Sequence, residues 1–200
     1  MKPGWRVTQS RLPWATFTVA VLALAVQARP GAEDALEINR AFSRVWSRLW
    51  TAHIVHFGGS HLFWNLAIFL PAGIWAERLV PWRTRFFYLV GPPFIGLVLL
   101  AFDREMANYR GLSGVAAGVL ALLAWARLRK LPPGGRWFWH SVLVLIALKI
   151  AAEAYARRSM LAEFDYAEAQ PVPLAHVAGV LCAAVVFLLP CPWRRRGESP

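Results

Sequence analysis

Apolar residues along the chain fall into six long runs that are separated by shorter polar connections. A helix needs about 20 predominantly apolar residues to cross a bilayer, so each run is a candidate membrane span. The six predicted spans cover residues 14–28, 61–79, 86–102, 112–127, 137–155 and 172–189. We therefore predict an all-α, polytopic membrane protein in which six transmembrane helices form a single domain over residues 1–200.

The composition is that of a membrane protein rather than a soluble one. Of the 200 residues, 58% are hydrophobic and 16% are charged, whereas about a quarter of the residues of a soluble domain are charged. Eleven residues are tryptophan, which favours the interface between membrane and water. The first run follows three basic residues and ends in Val26-Gln27-Ala28, so it also fits a cleaved signal peptide. In either case the chain after Ala28 emerges on the far side of the membrane.

Basic residues are concentrated on one side of the predicted membrane. With the N-terminus inside, the inner segments hold thirteen of the 22 lysine and arginine residues but two of the eleven acidic residues. Lysine and arginine mark the cytoplasmic side, so both termini are predicted to be cytoplasmic. The net charge of +11 then reflects contact with anionic lipid headgroups, and no nucleic-acid partner is expected. The inner basic residues are Lys2, Arg6, Arg11, Arg78, Arg83, Arg85, Arg127, Arg129, Lys130, Arg136, Arg194, Arg195 and Arg196.

Four polar residues are predicted to lie at a similar depth in the membrane. Spans two, four and six all run from outside to inside. Span two opens with His61 and Asn65, span four with Ser113, and span six with His176. Ionisable groups at membrane depth are costly and usually face the interior of a helix bundle. The pattern therefore indicates one polar cluster in the outer leaflet.

The glycines and the remaining outer histidines have competing interpretations. Gly111 and Gly114 would let a substrate backbone approach closely. Gly114 and Gly118 also form GxxxG, which is a common close contact between membrane helices. His53 and His56 lie at the outer membrane edge, where we expect solvated side chains. The combination of polar residues is more specific than any single member.

The chemistry of the cluster is that of acyl transfer. Serine becomes a nucleophile when a base takes its proton, and imidazole performs that task near neutral pH. Hydrogen-bond donors must then stabilise the oxyanion, and His61, Asn65 and the free N–H groups at the start of span four are suitable. Ser113 and His176 thus form a predicted dyad that needs no third, acidic partner.

The order and spacing of these residues resemble the three signatures of the rhomboid intramembrane serine proteases. The resemblance covers residues 53–189 and implies a rhomboid-like bundle of six transmembrane helices. The signatures read His56-x4-His61-x3-Asn65, Gly111-x-Ser113-Gly114 and Ala175-His176-x-x-Gly179.

The resemblance implies a role for each of the site residues. Ser113 would be the nucleophile and His176 its base. His61 and Asn65 would line the oxyanion hole, with His56 in a supporting position. The substrate would be a membrane-anchored protein that is cut near the outer leaflet, and the protein's other partner would be the lipid bilayer itself.

A narrower resemblance points to the rhombosortase branch of this family. Three motifs look like those of that branch: His53-Ile-Val-His56, the sequence GLSG around Ser113, and Lys149-x3-Glu153. Rhombosortases are bacterial rhomboids thought to process a Gly-Gly-containing C-terminal anchor on exported proteins, which implies the bacterial inner membrane as the location.

Ala117 departs from the usual rhomboid pattern. Many rhomboids carry an aromatic residue four positions after the serine, where it stacks on the catalytic histidine, and others carry a histidine there. The methyl group of Ala117 cannot orient an imidazole. Either a tryptophan or tyrosine from another span orients His176, or turnover is slow.

Lys149 and Glu153 lie four residues apart on the outer half of span five. This spacing lets their side chains meet on one helix face, and pairing removes most of the cost of burying them. We favour a structural ion pair that faces the bundle. The functional alternative is a polar lip of the substrate cavity, since this half of the span shares the depth of Ser113.

Two other functions are compatible with parts of the pattern. A catalytically inactive rhomboid-like scaffold would bind membrane clients without cutting them, but such relatives usually lose the serine or the histidine. A haem- or quinone-binding protein would use His53, His56, His61 and His176, although haem usually takes paired histidines on facing helices in mid-membrane. The zinc-protease motif HExxH does not occur, so neither a metal nor a cofactor is expected.

Overall fold

The structure is a computed structural model that describes residues 12–40, 46–156, 159–160 and 171–190. Helices dominate these residues, which confirms the prediction of an all-α protein; one pair of two-residue strands is the exception. The strands are β1 (Ile38–Asn39) and β2 (Asn108–Tyr109), and they pair antiparallel. The helices are α1 (Trp14–Gln27), α2 (Ala32–Leu36), α3 (Arg48–Thr51), α4 (Gly59–Leu79), α5 (Pro81–Phe102), α6 (Ser113–Lys130), α7 (Trp137–Ala156) and α8 (Pro173–Leu188).

Six of these helices coincide with the six predicted spans. The largest difference is at α5, which begins at Pro81 rather than at residue 86. Proline is favoured in the first helical turn because its missing N–H would have no helical partner there. Within the described residues, α5 and α7 are long and apolar enough to cross a bilayer, whereas α1 and α8 are apolar but have 14 and 16 residues. The number of spans therefore stays a prediction.

α6 is the central helix, and it packs against α4, α7 and α8. It is buried on most of its surface, and Val119 and Leu122 are fully enclosed. α7 is peripheral by contrast, because of its twenty residues Trp139 and Glu153 alone are buried. The central position of α6 places the residue at its start, Ser113, between α4 and α8.

The segment between α1 and α4 docks on a proline-containing turn of α5. Pro92 and Pro93 lie inside α5, and Pro93 has no N–H to donate to the carbonyl of Leu89. The indole Nε1 of Trp50 donates to that carbonyl instead, at 3.0 Å. The ring Nε2 of His53 lies 3.0 Å from the carbonyl oxygen of Pro92. These contacts hold α3 and the following 3₁₀ turn against α5.

Arg40 caps the C-terminal end of α5. Its guanidinium donates to the carbonyls of Leu99, Leu100 and Asp103, most closely to Asp103 at 2.6 Å. The last carbonyls of a helix have no helical donor, and a basic side chain satisfies them well. Together with the β1–β2 pair, this cap ties the segment before α6 to the segment after α1.

Glu77, in the last turn of α4, binds the first turn of α1. Its carboxylate accepts hydrogen bonds from the backbone N–H of Ala15 at 3.3 Å and of Thr16 at 2.9 Å. It also pairs with the guanidinium of Arg85 at 2.9 Å. A carboxylate at a helix N-terminus satisfies free N–H groups and favours the positive end of the helix dipole. Glu77 therefore fixes α1 against α4 at the end of the bundle away from Ser113.

Candidate active site

One cavity brings the predicted site residues together. It encloses about 100 Å³ and lies where α4, α6 and α8 begin, with the C-terminal half of α7 as its fourth wall. Apolar side chains form much of the lining, as in most small-molecule and substrate pockets. The polar residues that line it are His61, Asn65, Tyr109, Arg110, Ser113, Lys149, Glu153, Ser159 and His176.

Ser113 is the first residue of α6 and follows a glycine turn. Gly111 has a φ of 135°, a backbone conformation that L-residues rarely adopt, and its N–H donates to the carbonyl of Ala52 at 3.0 Å. The first helical bond of α6 runs from the N–H of Ala116 to the carbonyl of Leu112 at 2.8 Å. The N–H groups of the preceding residues, including Ser113, therefore have no helical acceptor.

His61 packs directly against this glycine turn. A Cβ atom at Gly111 would lie 2.9 Å from Cε1 of the His61 ring, so a larger residue would displace the imidazole. The Nδ1 atom of His61 accepts a hydrogen bond from the N–H of Phe57 at 3.2 Å. Because an accepting ring nitrogen carries no proton, we assign the proton of the neutral ring to Nε2. His61 can therefore donate a hydrogen bond from Nε2.

Asn65 lies one helical turn after His61 and is 6% exposed. Its side-chain Nδ2 is buried and has no hydrogen-bond partner among the described residues. The same atom would be 3.8 Å from a Cβ at Gly111. Buried amides are usually paired because leaving one unpaired is costly. The cavity therefore contains a second donor beside His61.

An acidic side chain lies beside His176, next to a dyad that was predicted to need no third, acidic partner. The Oε2 atom of Glu153 is 3.3 Å from Nδ1 of His176 and 2.7 Å from Nζ of Lys149. Oε1 accepts a hydrogen bond from the N–H of Met160 at 3.2 Å. The contact with His176 is close enough for an ion pair, but the ring nitrogen is not aligned for a hydrogen bond. The expected ion pair of Lys149 and Glu153 is present.

Glycines bring α6 and α8 into backbone contact next to the site. A Cβ at Gly114 would lie 2.7 Å from the carbonyl oxygen of Ala175, and one at Gly118 would lie 2.6 Å from that of Gly179. The space beside Gly114 is therefore filled by α8, so the prediction that Gly114 admits a substrate backbone is wrong in this respect. The GxxxG interpretation fits this contact, which sets the distance between Ser113 and α8.

His53 and His56 are buried, at 1% and 3% exposure, so the prediction of solvated side chains is wrong. Burial lowers the pKa of His53 to about 4 and that of His56 to about 3, so both rings are neutral near pH 7. His56 Nε2 lies 3.4 Å from the N–H of Leu112, and its ring meets that of His61 edge-on at 5.1 Å. His56 therefore supports the turn that precedes Ser113.

Two further residues hold this turn, and neither was predicted to have a role at the site. The guanidinium of Arg110 donates to Glu37 at 2.7 Å and to Asp34 at 2.8 Å. The Tyr109 hydroxyl donates to the carbonyl of Gly111 at 2.9 Å. Burial raises the pKa of Tyr109 well above its usual value, so the phenol keeps its proton. Their positions, three and four residues before Ser113, are the one feature of the sequence that pointed to them.

Of the two alternatives at Ala117, an orienting tryptophan or tyrosine from another span is not found beside His176 among the described residues. Ala117 lines the cavity, and the neighbour of the His176 ring is Glu153. The closest parallel ring stacking in the site involves His61, whose plane lies within 8° of that of Phe57 at a centroid distance of 6.0 Å.

A family model for the rhomboid domain matches residues 43–192, which include every residue of this cavity. The chain belongs to the rhomboid family. No curated protein matches it. Rhomboids are generally serine intramembrane proteases that act on membrane proteins within the bilayer, although some members are inactive. The rhomboid domain and the apolar helices make this a membrane protein.

Proposed function

We propose that this rhomboid is an active serine protease that cuts membrane-anchored proteins. The observation that carries the proposal is the convergence of four groups in one cavity. Ser113 and His176 supply a nucleophile and a base. The Nε2–H of His61 and the Nδ2 of Asn65, which has no partner among the described residues, supply two donors.

In the first half of the reaction, the Oγ atom of Ser113 attacks the scissile carbonyl carbon while His176 takes the hydroxyl proton on Nε2. The carbonyl oxygen becomes an oxyanion. It receives hydrogen bonds from Nε2 of His61, Nδ2 of Asn65 and the N–H of Ser113, which has no helical acceptor. The peptide C–N bond then breaks, and His176 returns its proton to the leaving amine.

In the second half, water attacks the acyl-enzyme. His176 takes a proton from the water molecule, and the same three donors stabilise the second oxyanion. The C–O bond to Ser113 breaks, and the proton returns to Oγ. The polar lining around Lys149 and Arg110 favours entry of that water into an otherwise apolar cavity.

The branch of the family that the chain resembles suggests a narrower substrate. Rhombosortase-like activity would release exported proteins from a C-terminal anchor that contains Gly-Gly. The cavity supports this choice because bulky residues such as Trp64 and Ile146 line it. Glycines at the scissile bond would fit this space, and they allow an extended backbone to approach closely.

The proposed setting is the bacterial inner membrane, with six spans, cytoplasmic termini and the cavity near the outer leaflet. The charge distribution along the chain supports this orientation. Large apolar side chains are exposed on the outer faces of α7 and α8, including Leu145, Leu148, Leu181 and Val185. Such surfaces fit contact with lipid chains.

Reporter cleavage tests this proposal. The chain is reconstituted in vesicles with a reporter whose C-terminal anchor contains Gly-Gly, and the released product is measured. Wild type and the exposed control Ser141→Ala should release product, whereas Ser113→Ala and His176→Ala should release about 10³-fold less or none. Equal cleavage by wild type and Ser113→Ala would refute the protease assignment. Equal cleavage of a reporter with Ala-Ala in place of Gly-Gly would refute the narrower substrate only.

A further inference from the structure

Glu153 occupies an unusual position for a charged residue. α7 presents most of its surface to the outside, and Glu153 is one of two buried residues among its twenty. The carboxylate is 2% exposed and points to α8 rather than to the exposed side of its own helix. Burying a carboxylate is costly unless several partners compensate for the lost water. A partner on α8 is therefore expected to compensate for the burial of this carboxylate.

The partners of the carboxylate show which contact explains its burial. Lys149 lies on the same helix and its side chain is 31% exposed. An ion pair between residues four apart could form equally well at the exposed surface, where neither charge would need to be buried. The contact that requires burial is the one with Nδ1 of His176, at 3.3 Å from Oε2.

We infer that Glu153 is a positioning residue for His176 and extends the proposed dyad to a Ser113–His176–Glu153 triad. This inference rests on the proposed protease function. A carboxylate at Nδ1 favours the ring tautomer with the proton on Nδ1, which leaves the lone pair of Nε2 free to accept the proton of Ser113. When His176 becomes an imidazolium, the carboxylate stabilises it and does not take the proton itself.

Glu153 takes the place of an orienting ring, which is not found beside His176 among the described residues. Ala117 offers a methyl group where an aromatic side chain would fix the imidazole, so Glu153 supplies the orientation from α7. Among the described residues, Lys149 on α7 and His61 on α4 are the further charged or titratable groups that act on His176. Lys149 holds the carboxylate in place through Oε2. The present misalignment of the ring requires a small rotation, and catalytic hydrogen bonds commonly tighten when substrate binds.

Two variants at residue 153, one that removes the charge and one that shortens the side chain, test the positioning role of Glu153 by their cleavage kinetics in the full-length protein. Glu153→Gln keeps the shape but loses the charge, whereas Glu153→Asp keeps the charge on a shorter side chain. With the Gly-Gly reporter, we expect kcat of Glu153→Gln to fall about 10²- to 10⁴-fold with KM almost unchanged, and Glu153→Asp to retain more activity. Packing alone would favour the isosteric glutamine over aspartate. A kcat of Glu153→Gln within about threefold of wild type, or above that of Glu153→Asp, would overturn the inference.

Glu77→Gln is the matched control, because Glu77 is also a buried, ion-paired glutamate but lies at the far end of the bundle. It should lower thermal stability and leave kcat of the folded fraction unchanged. Ser113→Ala distinguishes failure of the protease function from failure of the positioning role of Glu153. If wild type and Glu153→Gln both cut the reporter and Ser113→Ala does not, the protease assignment stands and the positioning role of Glu153 fails.

A spectroscopic measurement on wild type covers the case in which a variant at residue 153 does not fold. In protein labelled with ¹⁵N-histidine, the signals of His176 are those that disappear in His176→Asn. We expect them to report a neutral ring with its proton on Nδ1 and a hydrogen-bonded ring N–H. A ring with its proton on Nε2 would overturn the inference whether or not the reporter is cut.

Discussion

Gly114 on α6 lies against Ala175 on α8, so closely that a Cβ at position 114 would be 2.7 Å from the Ala175 carbonyl oxygen. These two residues are the chain neighbours of Ser113 and His176. The contact between the two helices therefore fixes how far the proposed nucleophile is from the proposed base. The distance depends on the absence of a single methyl group.

Gly114→Ala should separate the two helices and misplace Ser113 relative to His176. A displacement of about 1 Å at a reacting group can cost about 10²-fold in rate, so we expect a loss of that order in reporter cleavage. Gly134→Ala is the control, because a Cβ at Gly134 has nothing within 4 Å. Gly114→Ala with the activity of Gly134→Ala would mean that the helices adjust without disturbing the site.

Asn65→Ala removes one proposed donor to the oxyanion. Loss of one such donor costs about 10²- to 10³-fold in kcat, and we expect KM to change little because the bond strengthens in the transition state. Since Nδ2 has no partner among the described residues, its removal should cost little stability. Asn108→Ala, at an exposed residue outside the cavity lining, is the matched control. An unchanged kcat would assign Asn65 to helix packing.

Lys149 and Glu153 should be coupled in stability as well as in position. Lys149→Met leaves the buried carboxylate without its cation, and because Lys149 is partly exposed we expect a loss of about 1 to 3 kcal/mol in the free energy of unfolding. The double variant with Glu153→Gln should be more stable than the sum of the two single losses predicts. Thermal unfolding in detergent measures all three variants. Additive losses would mean that the two side chains are independent.

The stability of the protein should fall as the pH is lowered from about 6.5 to about 4. Burial lowers the pKa of His53 from its usual 6.5 to about 4, so in this window the unfolded chain binds a proton that the folded protein does not. Stability therefore rises with pH across the window and is lost as the pH falls. His53→Gln keeps a donor for the carbonyl of Pro92 but does not titrate, so its loss at low pH should be smaller. If His53→Gln and the exposed control His140→Gln follow the same pH dependence as wild type, His53 is not the group responsible.

The positions of the helices, and which polar residues meet in the cavity, could be predicted from the sequence. Apolar runs of sufficient length locate the helices to within a few residues, except where Arg83 and Arg85 obscure the start of α5. The depth and spacing of Ser113, His61 and His176 indicated that they meet. Both predictions depend on periodicity and burial of whole elements, which a single sequence records well.

The contact of Glu153 with His176 could not be predicted, because α7 is apolar on nearly all sides and so its sequence does not define which face turns inward. The spacing from Lys149 revealed a pair but not its direction. The burial of His53 was also missed. It depends on how the segment after α1 docks on the turn of α5 at Pro92, which is a tertiary contact between distant parts of the chain.

Covalent labelling with a fluorophosphonate tests the central claim, that Ser113 is a nucleophile activated by His176. The Oγ atom would displace fluoride and form a bond to phosphorus. Mass spectrometry of the folded protein should then place one adduct on Ser113, and Ser141→Ala should label like wild type. Labelling should be lost in Ser113→Ala and in His176→Ala. An adduct that persists in Ser113→Ala, or a folded wild-type protein that forms no adduct, would contradict the account.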